Sequence, residues 1–466
     1  MSDLAHAVRS GATAAELESC DVPTHYRAAH LRHEDVGMFT GTDRDVRNTI
    51  HVGPVPTPEL APDEVLVAVM ASSINFNTVW SATFLPISTF EFLARLGRQG
   101  RWGARHDQPF HVIGSDASGV VVRIGTGVKR WTPGDRVVVA PAYVDSEDPA
   151  AHADAMTADQ RAWGFETNFG GLADFAVVKA SQLLPKPAHL TWEESAVGTL
   201  CASTAYRMLI GSHGAGIKVG DVVLIWGAAG GLGGYAVQLV KAAGGIPVGV
   251  VSSDEKAAVL SRLGCRHVIR RDTVIAGPDA MRDPKTWREL GRQIRRMTGE
   301  DPHVVFEYTG QETFGASVFL ARTGGAVVTC GSSSGYDHHY DNRYLWMRLK
   351  RVIGSHGANY LEAWEVNRLL QLGLLMPTLS QVYPLEQVGE ATRAVQLNRH
   401  AGKVGVLCLA PHEGLGIDDP ATRAAIGEER LRAFRTAPTR EDPTQDDPTQ
   451  DDPTREDPTR DDLVAL

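Results

Sequence analysis

Over residues 201–350, short apolar runs alternate with amphipathic stretches of helical period. The apolar runs predict strands at Val222–Trp226, Pro247–Val251, His267–Ile269, His303–Glu307, Ala326–Cys330 and Arg351–Gly354, and the stretches between them predict helices that include Gly234–Ala243, Ser253–Leu263 and Pro284–Met297. Apolar strands that alternate with helices are typical of a parallel sheet covered on both faces. The pattern therefore predicts an α/β unit with a doubly wound parallel sheet.

Residues 25–190 follow a different pattern, in which apolar or alternating runs are interrupted by Gly, Pro and Asp. Examples are Glu64–Met70, Ala117–Ile124 and Arg136–Ala140. Such runs predict a β-rich domain. A mixed pattern returns after about residue 350 and ends in an apolar strand at Lys403–Leu409. We therefore predict a catalytic domain made of residues 1–200 and 351–412, with a cofactor domain at 201–350 inserted into it.

Residues 413–466 are predicted to be a disordered acidic tail. From Pro438 the sequence repeats with a period of five residues, as PTRED, PTQDD, PTQDD, PTRED and PTRDD. Proline at every fifth position prevents a continuous helix, and the acidic pairs repel one another. Residues 438–462 carry ten Asp or Glu and three Arg, a net charge of −7 within a chain total of −10. One helix is predicted near Thr422–Phe434.

Composition and charge argue against several classes of protein. The five cysteines form no Cys-x-x-Cys pair, so neither a disulfide framework nor a structural zinc knuckle is expected. The net charge of −10 argues against nucleic-acid binding. The N-terminal residues MSDLAHAVRS lack the apolar segment of a secretory signal, so we expect a cytoplasmic protein. The uncharged run Val222–Val240 contains five glycines within Gly227–Gly234, which predicts strand, turn and helix rather than a membrane span.

The turn after the first strand of the α/β unit carries the candidate cofactor site. It reads Gly227, Ala228, Ala229, Gly230, Gly231, Leu232 and Gly233, and the dinucleotide fingerprint G-x-G-x-x-G aligns with the second, fourth and seventh of these residues. Glycines permit a tight turn and let the N–H groups of a helix N-terminus approach a pyrophosphate. Because this turn lies between a strand and a helix, we predict Rossmann-type dinucleotide binding. The alternative is a purely structural glycine turn.

The end of the second strand indicates which dinucleotide is bound. An NAD site places Asp or Glu there, whereas this strand ends in Ser252 and Ser253. Their hydroxyl groups and the cation of Lys256 could hold a 2′-phosphate, to which Arg270 and Arg271 could add charge, so NADPH is the predicted cofactor. In the alternative these cations are ordinary surface charges, and the acidic pair at 254–255 leaves that alternative open.

Medium-chain alcohol dehydrogenases share this two-part layout and hold a zinc ion through a Gly-His-Glu stretch and an upstream cysteine. The corresponding segment here, GSDASG at 114–119, contains neither His nor Cys. The chain therefore resembles the zinc-free branch of the medium-chain dehydrogenase/reductase superfamily, and no metal is expected. That resemblance implies a β-rich GroES-like catalytic domain beside the Rossmann domain, and an acceptor that needs no Lewis acid.

Longer stretches carry a more specific resemblance. They are ASSINFNTVW at 71–80, PISTF at 86–90, RAWGFETNFGG at 161–171, YDNRYLWM at 340–347 and GSH at 354–356. Together they are similar to the crotonyl-CoA/enoyl-CoA carboxylase/reductases, from about residue 24 to 415. The resemblance implies an NADPH-dependent reductive carboxylation of a 2-enoyl-CoA to an alkylmalonyl-CoA, in which hydride reaches C3 and the enolate attacks CO2 through C2. The alternatives are a non-carboxylating NADPH enoyl-CoA or quinone reductase and a non-catalytic use of the fold.

The resemblance also implies roles for four catalytic residues. Asn77 donates its amide to CO2, Phe165 keeps water from the enolate, and Glu166 and His356 hold a water or a backbone donor on the other side. A general acid beside C2 would quench the enolate. On the sequence alone each residue has a structural alternative: a helix or turn cap, a core aromatic, an exposed carboxylate and a structural histidine, respectively.

Further residues are implied for cofactor and substrate. Thr204 resembles a phosphate or ribose contact, and Arg343 resembles a contact to the CoA nucleotide, to which the cations Arg207, Arg348, Lys350 and Arg351 could add charge. Ala162 and Gly357 replace larger residues of the family, which predicts an acyl chain longer than crotonyl and a role in polyketide extender units. The family also suggests a homotetramer, a pair of dimers joined through cofactor domains.

Overall fold

The computed structural model describes residues 2–274 and 280–435. Its strands are β1 His25–Arg32, β2 His51–Pro56, β3 Glu64–Ile74, β4 Phe110–Val112, β5 Ala117–Ile124, β6 Arg136–Val139, β7 Ala142–Val144, β8 Gln160–Ala162, β9 Phe175–Lys179, β10 Leu183–Pro185, β11 Val222–Ile225, β12 Ile246–Val251, β13 His267–Arg270, β14 Val304–Glu307, β15 Ala326–Thr329, β16 Arg351–Gly354, β17 Leu379–Pro384 and β18 Lys403–Leu407. Its helices are α1 Asp3–Arg9, α2 Ala14–Ser19, α3 Phe76–Thr83, α4 Thr89–Gly97, α5 Gly100–Ala104, α6 Trp192–Ala196, α7 Thr199–Leu209, α8 Gly231–Ala242, α9 Asp254–Arg262, α10 Arg271–Val274, α11 Pro284–Thr298, α12 Phe314–Leu320, α13 Arg343–Trp346, α14 Tyr360–Gln371, α15 Val388–Gln396, α16 Pro420–Ile426 and α17 Glu428–Leu431.

The alternating segment forms a six-stranded parallel sheet in the order β13-β12-β11-β14-β15-β16. Strand β11 is buried on both faces, because Val223 belongs to an apolar cluster with Tyr235 of α8 while Leu224 belongs to another cluster with Trp287 of α11. A strand covered on both faces loses the polar alternation of a half-exposed one. The strand order is that of a Rossmann sheet. Its last strand, β16, lies just past the boundary predicted at residue 350.

The β-rich segment forms a mainly antiparallel sheet in the order β10-β6-β5-β3-β18-β17, with β9 also paired to β3. Every residue of β3 is buried, because β3 pairs with β5, β9 and β18. Strand β3 runs beyond the predicted Glu64–Met70 as far as Ile74, which delivers the chain to α3. The sheet therefore combines strands from both sides of the cofactor segment in sequence.

The prediction of a disordered tail from residue 413 is wrong for residues 413–435, which are ordered and contain α16 and α17. The predicted single helix is divided at Gly427, whose φ is +92°. Phe434 is fully buried, and it lies so close to Gly234 of α8 that a Cβ there would come within 2.5 Å of the phenyl ring. Arg423 pairs with Glu194 of α6 at 2.6 Å. This packing outweighs the local polarity, while the repeat from Pro438 lies outside the described residues and stays a prediction.

The apolar run Val222–Val240 was predicted to form a strand, a turn and a helix rather than a membrane span. The run forms β11, a glycine turn and most of α8, as the glycine content predicted. Throughout residues 2–274 and 280–435, every helix is too short or too polar to cross a bilayer.

Candidate active site

A cleft of about 630 Å³ lies beside the glycine turn and holds most of the predicted site residues. The predicted residues that line it are Asn77, Ala162, Phe165, Thr204, Gly227, Ala229, Gly230, Gly231, Leu232, Ser252, Lys256, Arg271, His356 and Gly357. The others do not line it: Glu166, Ala228, Gly233, Ser253 and Arg343. The structure thus brings together residues that are up to 280 positions apart in the chain.

The glycine turn has the geometry that a dinucleotide needs. Gly227 adopts a φ of +55°, and its carbonyl accepts hydrogen bonds from the N–H of Gly230 at 2.8 Å and from the Tyr308 hydroxyl at 2.8 Å. Helix α8 begins at Gly231, and no side chain caps its N-terminus. Its first N–H groups therefore stay available to an anion, which fits a pyrophosphate.

Two of the predicted cofactor residues, Ala228 and Gly233, support the conformation of the turn without lining the cleft. The N–H of Ala228 donates to the Val250 carbonyl of β12 at 3.1 Å, and Ala228 is fully buried. A Cβ at Gly233 would lie 2.4 Å from the Gly227 carbonyl oxygen, so the helix could not approach the strand with any other residue there. Both residues act on turn packing and do not line the cleft.

The end of β12 forms the proposed 2′-phosphate side of the cleft. Lys256 lines this side, its Nζ lies 3.1 Å from the Asn398 amide oxygen, and burial lowers its pKa. Arg271 also lines it and pairs with Glu312 at 2.9 Å. Ser253 instead accepts a hydrogen bond from the Lys256 N–H at 3.3 Å and so caps α9. The acidic pair at 254–255 does not line the cleft, so it does not take the position of an NAD-binding acid.

Asn77 lies in the first turn of α3 and lines the cleft. Its amide nitrogen donates to the Ser115 hydroxyl at 2.8 Å, while its buried amide oxygen has no partner among the described residues. A hydroxyl can donate as well as accept, so a turned amide would receive the Ser115 hydrogen on oxygen and leave its NH₂ free. In either orientation one polar atom of this amide has no protein partner.

Two aromatic rings pack near Phe165, which also lines the cleft. The Phe165 ring lies 6.5 Å from that of Trp80 and 5.9 Å from that of Phe92, measured between ring centroids. Next to it, the Glu166 carboxylate accepts a hydrogen bond from the N–H of Ala162 at 2.7 Å. Glu166 therefore has a backbone donor, and it fixes the turn that presents Phe165 to the cleft.

Two of the predicted substrate residues, Ala162 and Gly357, line the cleft with little or no side chain. Gly357 follows the exposed His356 after β16 and adopts a φ of +48°, and a Cβ there would lie 3.1 Å from the Met156 methyl group. Ala162 ends β8 on the same cleft. The Met156 methyl group therefore fills the space that a side chain at residue 357 would need, and Ala162 presents only a methyl group to the cleft.

The segment that carries Met156 and Ala162 is held by a buried ion-pair network. Arg207 donates to Asp154 at 2.6 Å and to Glu362 of α14 at 2.9 Å, and all three side chains are buried. Arg207 is therefore structural and is not free for a CoA phosphate, contrary to the sequence-based expectation. The same holds for Lys350, whose Nζ donates to two backbone carbonyls of α12.

Asp154→Asn is expected to destabilise the protein at neutral pH by about 3 kcal/mol, because it leaves Arg207 short of a buried charge partner. Burial alone would favour the neutral acid, but hydrogen bonds from Arg207 and Asn359 outweigh it and lower the pKa of Asp154 to about 2. A depressed folded-state pKa stabilises above the unfolded value of about 3.9 and loses this contribution as pH falls toward 2. Urea unfolding from pH 7 to pH 3 measures both effects.

The stability difference between wild type and the Asp154 variant should narrow steadily below pH 4. Asp159, whose side chain is 59% exposed and pairs with Arg161 at 2.8 Å, provides a control in the same segment. Asp159→Asn should cost well under about 1 kcal/mol at any pH. An Asp154 variant as stable as wild type at pH 7 would contradict the proposed anchoring.

Sequence reasoning missed a charged network at the base of the cleft. Lys403 of β18 lines the cleft and pairs with the fully buried Asp116 at 3.0 Å, and Asn75 bonds to both. The sequence contains only a weak indication of this network, namely that Asp116 and Lys403 each lie directly beside an apolar run. Arg343, in contrast, was predicted from the sequence as a substrate contact but does not line the cleft. Its side chain is 76% exposed and pairs with Asp341.

No group of three or more His, Cys, Asp or Glu side chains in the described part of the chain could hold a metal ion. The five cysteines are free thiols.

Comparisons with known proteins place the chain in a family. Sequence models of the alcohol dehydrogenase GroES-like domain and of zinc-binding dehydrogenases match residues 61–188 and 231–372, respectively. A crotonyl-CoA reductase of Streptomyces avermitilis is 52% identical over 91% of this chain and 97% of its own length. A crotonyl-CoA carboxylase/reductase of Cereibacter sphaeroides is 39% identical over 78% of this chain and 84% of its own. This chain belongs to the crotonyl-CoA carboxylase/reductase family.

A solved structure of the same family agrees with this assignment. The 2-octenoyl-CoA carboxylase reductase CinF, in complex with NADP and 2-octenoyl-CoA, is 60% identical, covers 93% of this chain and 99% of its own, and has a TM-score of 0.91. The predicted family, the GroES-like plus Rossmann fold and the prediction of an enzyme of this crotonyl-CoA carboxylase/reductase family are thereby confirmed. The individual site roles, the cytoplasmic location and the domain limits other than the start of the tail stay predictions.

Proposed function

We propose that this protein catalyses the NADPH-dependent reductive carboxylation of a 2-enoyl-CoA to an alkylmalonyl-CoA. The observation that carries the proposal is the cleft itself, in which the amide of Asn77 and the ring of Phe165 lie on the same cavity as the glycine turn. NADPH, when bound at that turn, supplies the hydride that reaches C3 of the enoyl thioester. The resulting enolate is nucleophilic at C2 and forms a C–C bond to CO2.

The residues of the chain decide what the enolate meets. CO2 has no net charge, so its site needs a fixed donor in a small space without water. Asn77, held by Ser115, supplies an amide whose second polar atom has no protein partner. The rings of Phe165 and Trp80 exclude water, and α3 presents no acidic side chain that could protonate C2. Carboxylation is therefore favoured over simple reduction.

Glu166 and His356 complete the proposed site. Glu166 holds the turn that presents Phe165, through the N–H of Ala162. His356 lines the cleft from the loop after β16 and is exposed there, so its ring is available to a water or to the substrate. Arg343, which is exposed at the start of α13, is proposed to bind the CoA nucleotide.

The acyl chain is proposed to be longer than crotonyl, near eight carbons. Ala162 and Gly357 add little side-chain volume to the lining of the cleft, and CinF was solved with 2-octenoyl-CoA. Each methylene buried in such a space contributes about 0.8 kcal/mol. The alkylmalonyl-CoA product would then serve as an unusual extender unit for polyketide assembly.

NADPH is proposed as the cofactor because Ser252 and Lys256 line the cleft where a 2′-phosphate would lie, and CinF was solved with NADP. Lys256→Ala is expected to raise the KM for NADPH about tenfold, since one charge-assisted phosphate contact is lost. The KM for NADH, which has no 2′-phosphate, should change little. Initial rates with both cofactors measure the difference.

Lys285 provides a matched control for this experiment, because it is exposed on α11 and does not line the cleft. Lys285→Ala should leave both KM values unchanged. An equal increase of both KM values in the Lys256 variant would show that the lysine does not recognise the phosphate.

The protein is proposed to be a homotetramer built from dimers that are joined through the cofactor domains. The proposed contact between copies is the exposed edge of the parallel sheet. Strand β16 pairs with β15 on one side only, and Val352 on it is 42% exposed. Trp346 and Leu349 just before it are 62% and 75% exposed. Exposed apolar side chains beside an open strand edge favour pairing with a second copy.

The proposed reaction is tested by incubating the full chain with 2-octenoyl-CoA and NADPH, with and without bicarbonate plus carbonic anhydrase. A dicarboxylic product that forms only with bicarbonate supports the proposal. Octanoyl-CoA under both conditions would identify a plain enoyl-CoA reductase instead. If NADPH were not oxidised under either condition, the protein would not be an enzyme of this type.

A further inference from the structure

The base of the cleft contains a buried lysine that the proposed chemistry does not use. The side chain of Lys403, the first residue of β18, is only 4% exposed. Its Nζ donates to the Ile74 carbonyl at 2.8 Å, to the Asp116 carboxylate at 3.0 Å and to the Asn75 amide oxygen. An ammonium group has three hydrogens, so all of its donors are used.

The carboxylate of Asp116 is equally saturated. It accepts hydrogen bonds from the Ser73 hydroxyl at 2.7 Å, the Asn75 amide at 2.8 Å, the Thr199 hydroxyl at 2.9 Å and the Leu200 N–H at 3.1 Å. Buried ion pairs contribute little net stability, but a fully satisfied network allows only one arrangement of the segments it joins. Here those segments are the end of β3 and the start of α7 and β18.

The network reaches Asn77 by two routes. Asn75 occupies the N-cap position of α3, yet its side chain bonds to Lys403 and Asp116 instead of capping the helix. The backbone that leads into Asn77 is thereby fixed. The amide of Asn77 is held by Ser115, which directly precedes Asp116.

The same lysine touches the dinucleotide turn. The N–H of Gly402 donates to the Ala229 carbonyl at 2.7 Å, which joins β18 to the turn. The Lys403 side chain then lies against Gly231, where a Cβ would come within 2.7 Å of its Cδ. One side chain therefore connects the helix that carries Asn77 with the turn that receives the cofactor.

We propose that Lys403, Asp116 and Asn75 are positioning residues that fix Asn77 relative to the dinucleotide turn, and so set how the enolate divides between CO2 and a proton. The inference rests on the carboxylation proposed above. A displaced Asn77 would still lie beside a bound substrate but would no longer hold CO2 against C2. The effect appears in the product ratio, which a loss of stability alone would not change.

Lys403→Met is the direct test, because it keeps an unbranched side chain that is only one atom shorter and removes the charge. The ratio of carboxylated to saturated product is expected to fall about tenfold or more, since small displacements near the reacting atoms have large effects on rate. The charge-balanced pair Lys403→Met with Asp116→Asn avoids an unpaired buried carboxylate and serves if the single variant does not fold. Products are quantified by mass spectrometry at saturating 2-octenoyl-CoA, NADPH and bicarbonate.

Lys186 provides a matched control, since it is a buried lysine whose Nζ donates to the carbonyls of Pro187, Leu190 and Gly416 and does not line the cleft. Lys186→Met should leave the product ratio unchanged whatever it does to stability. An unchanged ratio in the Lys403 variants of a carboxylating wild type would overturn the positioning role alone. A wild type that forms only octanoyl-CoA would overturn the proposed function and this inference together.

Discussion

Leucine in place of Asn77 is expected to turn the enzyme from a carboxylase into a reductase. Leucine has the same branched arrangement of four side-chain heavy atoms but no polar atom, so the CO2 site loses its fixed donor while the shape of the cleft changes little. The carboxylate that forms on CO2 gains negative charge, and a hydrogen bond to a charged group is worth about 1.5–3 kcal/mol. The ratio of carboxylated to saturated product should therefore fall about ten- to hundredfold. NADPH oxidation should continue, because the enolate then takes a proton.

Product ratios from full progress curves, measured by mass spectrometry, test this prediction. Asn367 of α14 is a matched control, because its amide donates once, to the Pro185 carbonyl at 2.9 Å, and its oxygen is also buried without a partner among the described residues. Asn367→Leu should leave the ratio unchanged. An Asn77 variant that carboxylates as efficiently as wild type would exclude the proposed CO2 contact.

Isoleucine in place of Ala162 is expected to shift the preferred substrate toward shorter chains. The three added carbons occupy space in which about three methylenes of an octenoyl chain would be buried, at about 0.8 kcal/mol each. The kcat/KM for 2-octenoyl-CoA should therefore fall about fiftyfold, while that for crotonyl-CoA should change only a few-fold. A chain-length series from C4 to C8 measures the change of preference.

The control for this series is Ala158→Ile in the same segment. Ala158 packs in a small apolar cluster with Ala155 and does not line the cleft. Its replacement should lower kcat/KM for all chain lengths equally, if at all. A wild type that strongly prefers crotonyl-CoA, or an Ala162 variant with an unchanged preference, would contradict the assignment of the acyl site.

The parallel sheet could be predicted from the sequence because both of its faces are covered. Strands such as Ala326–Thr329 and Arg351–Gly354 were predicted to within a residue at each end, since their apolar runs end where the turns begin. The glycine turn was predicted for a similar reason: its backbone conformation requires the glycine at position 227. Local patterns therefore suffice where local geometry decides the structure.

The charged network at the base of the cleft could not be predicted from local sequence patterns. Asp116 and Lys403 are 287 positions apart, and nothing in either local sequence indicates that the two meet. Arg207 looked like a free cation for the same reason, because its partners Asp154 and Glu362 come from distant segments. Asn77 and Phe165 were selected by family resemblance, since an asparagine or a phenylalanine alone has no sequence signal for CO2.

The C-terminal segment shows how composition can mislead. The acidic repeat beyond Pro438 dominates the last part of the sequence, and the tail was therefore predicted to begin at residue 413. Yet Arg262 of α9 donates to the Ala433 carbonyl at 2.7 Å, and Phe434 packs into the apolar cluster around α8. One buried aromatic and a few ion pairs are enough to order a short polar segment against a larger domain.

The most direct test of the account is the stoichiometry of CO2 incorporation. Full-length protein is supplied with 2-octenoyl-CoA, NADPH, ¹³C-bicarbonate and carbonic anhydrase, and label in the acyl-CoA product is compared with NADPH oxidised. The account predicts close to one labelled carboxyl group, bonded to C2, for each NADPH. Octanoyl-CoA without label, formed at the same rate with and without bicarbonate, would contradict it.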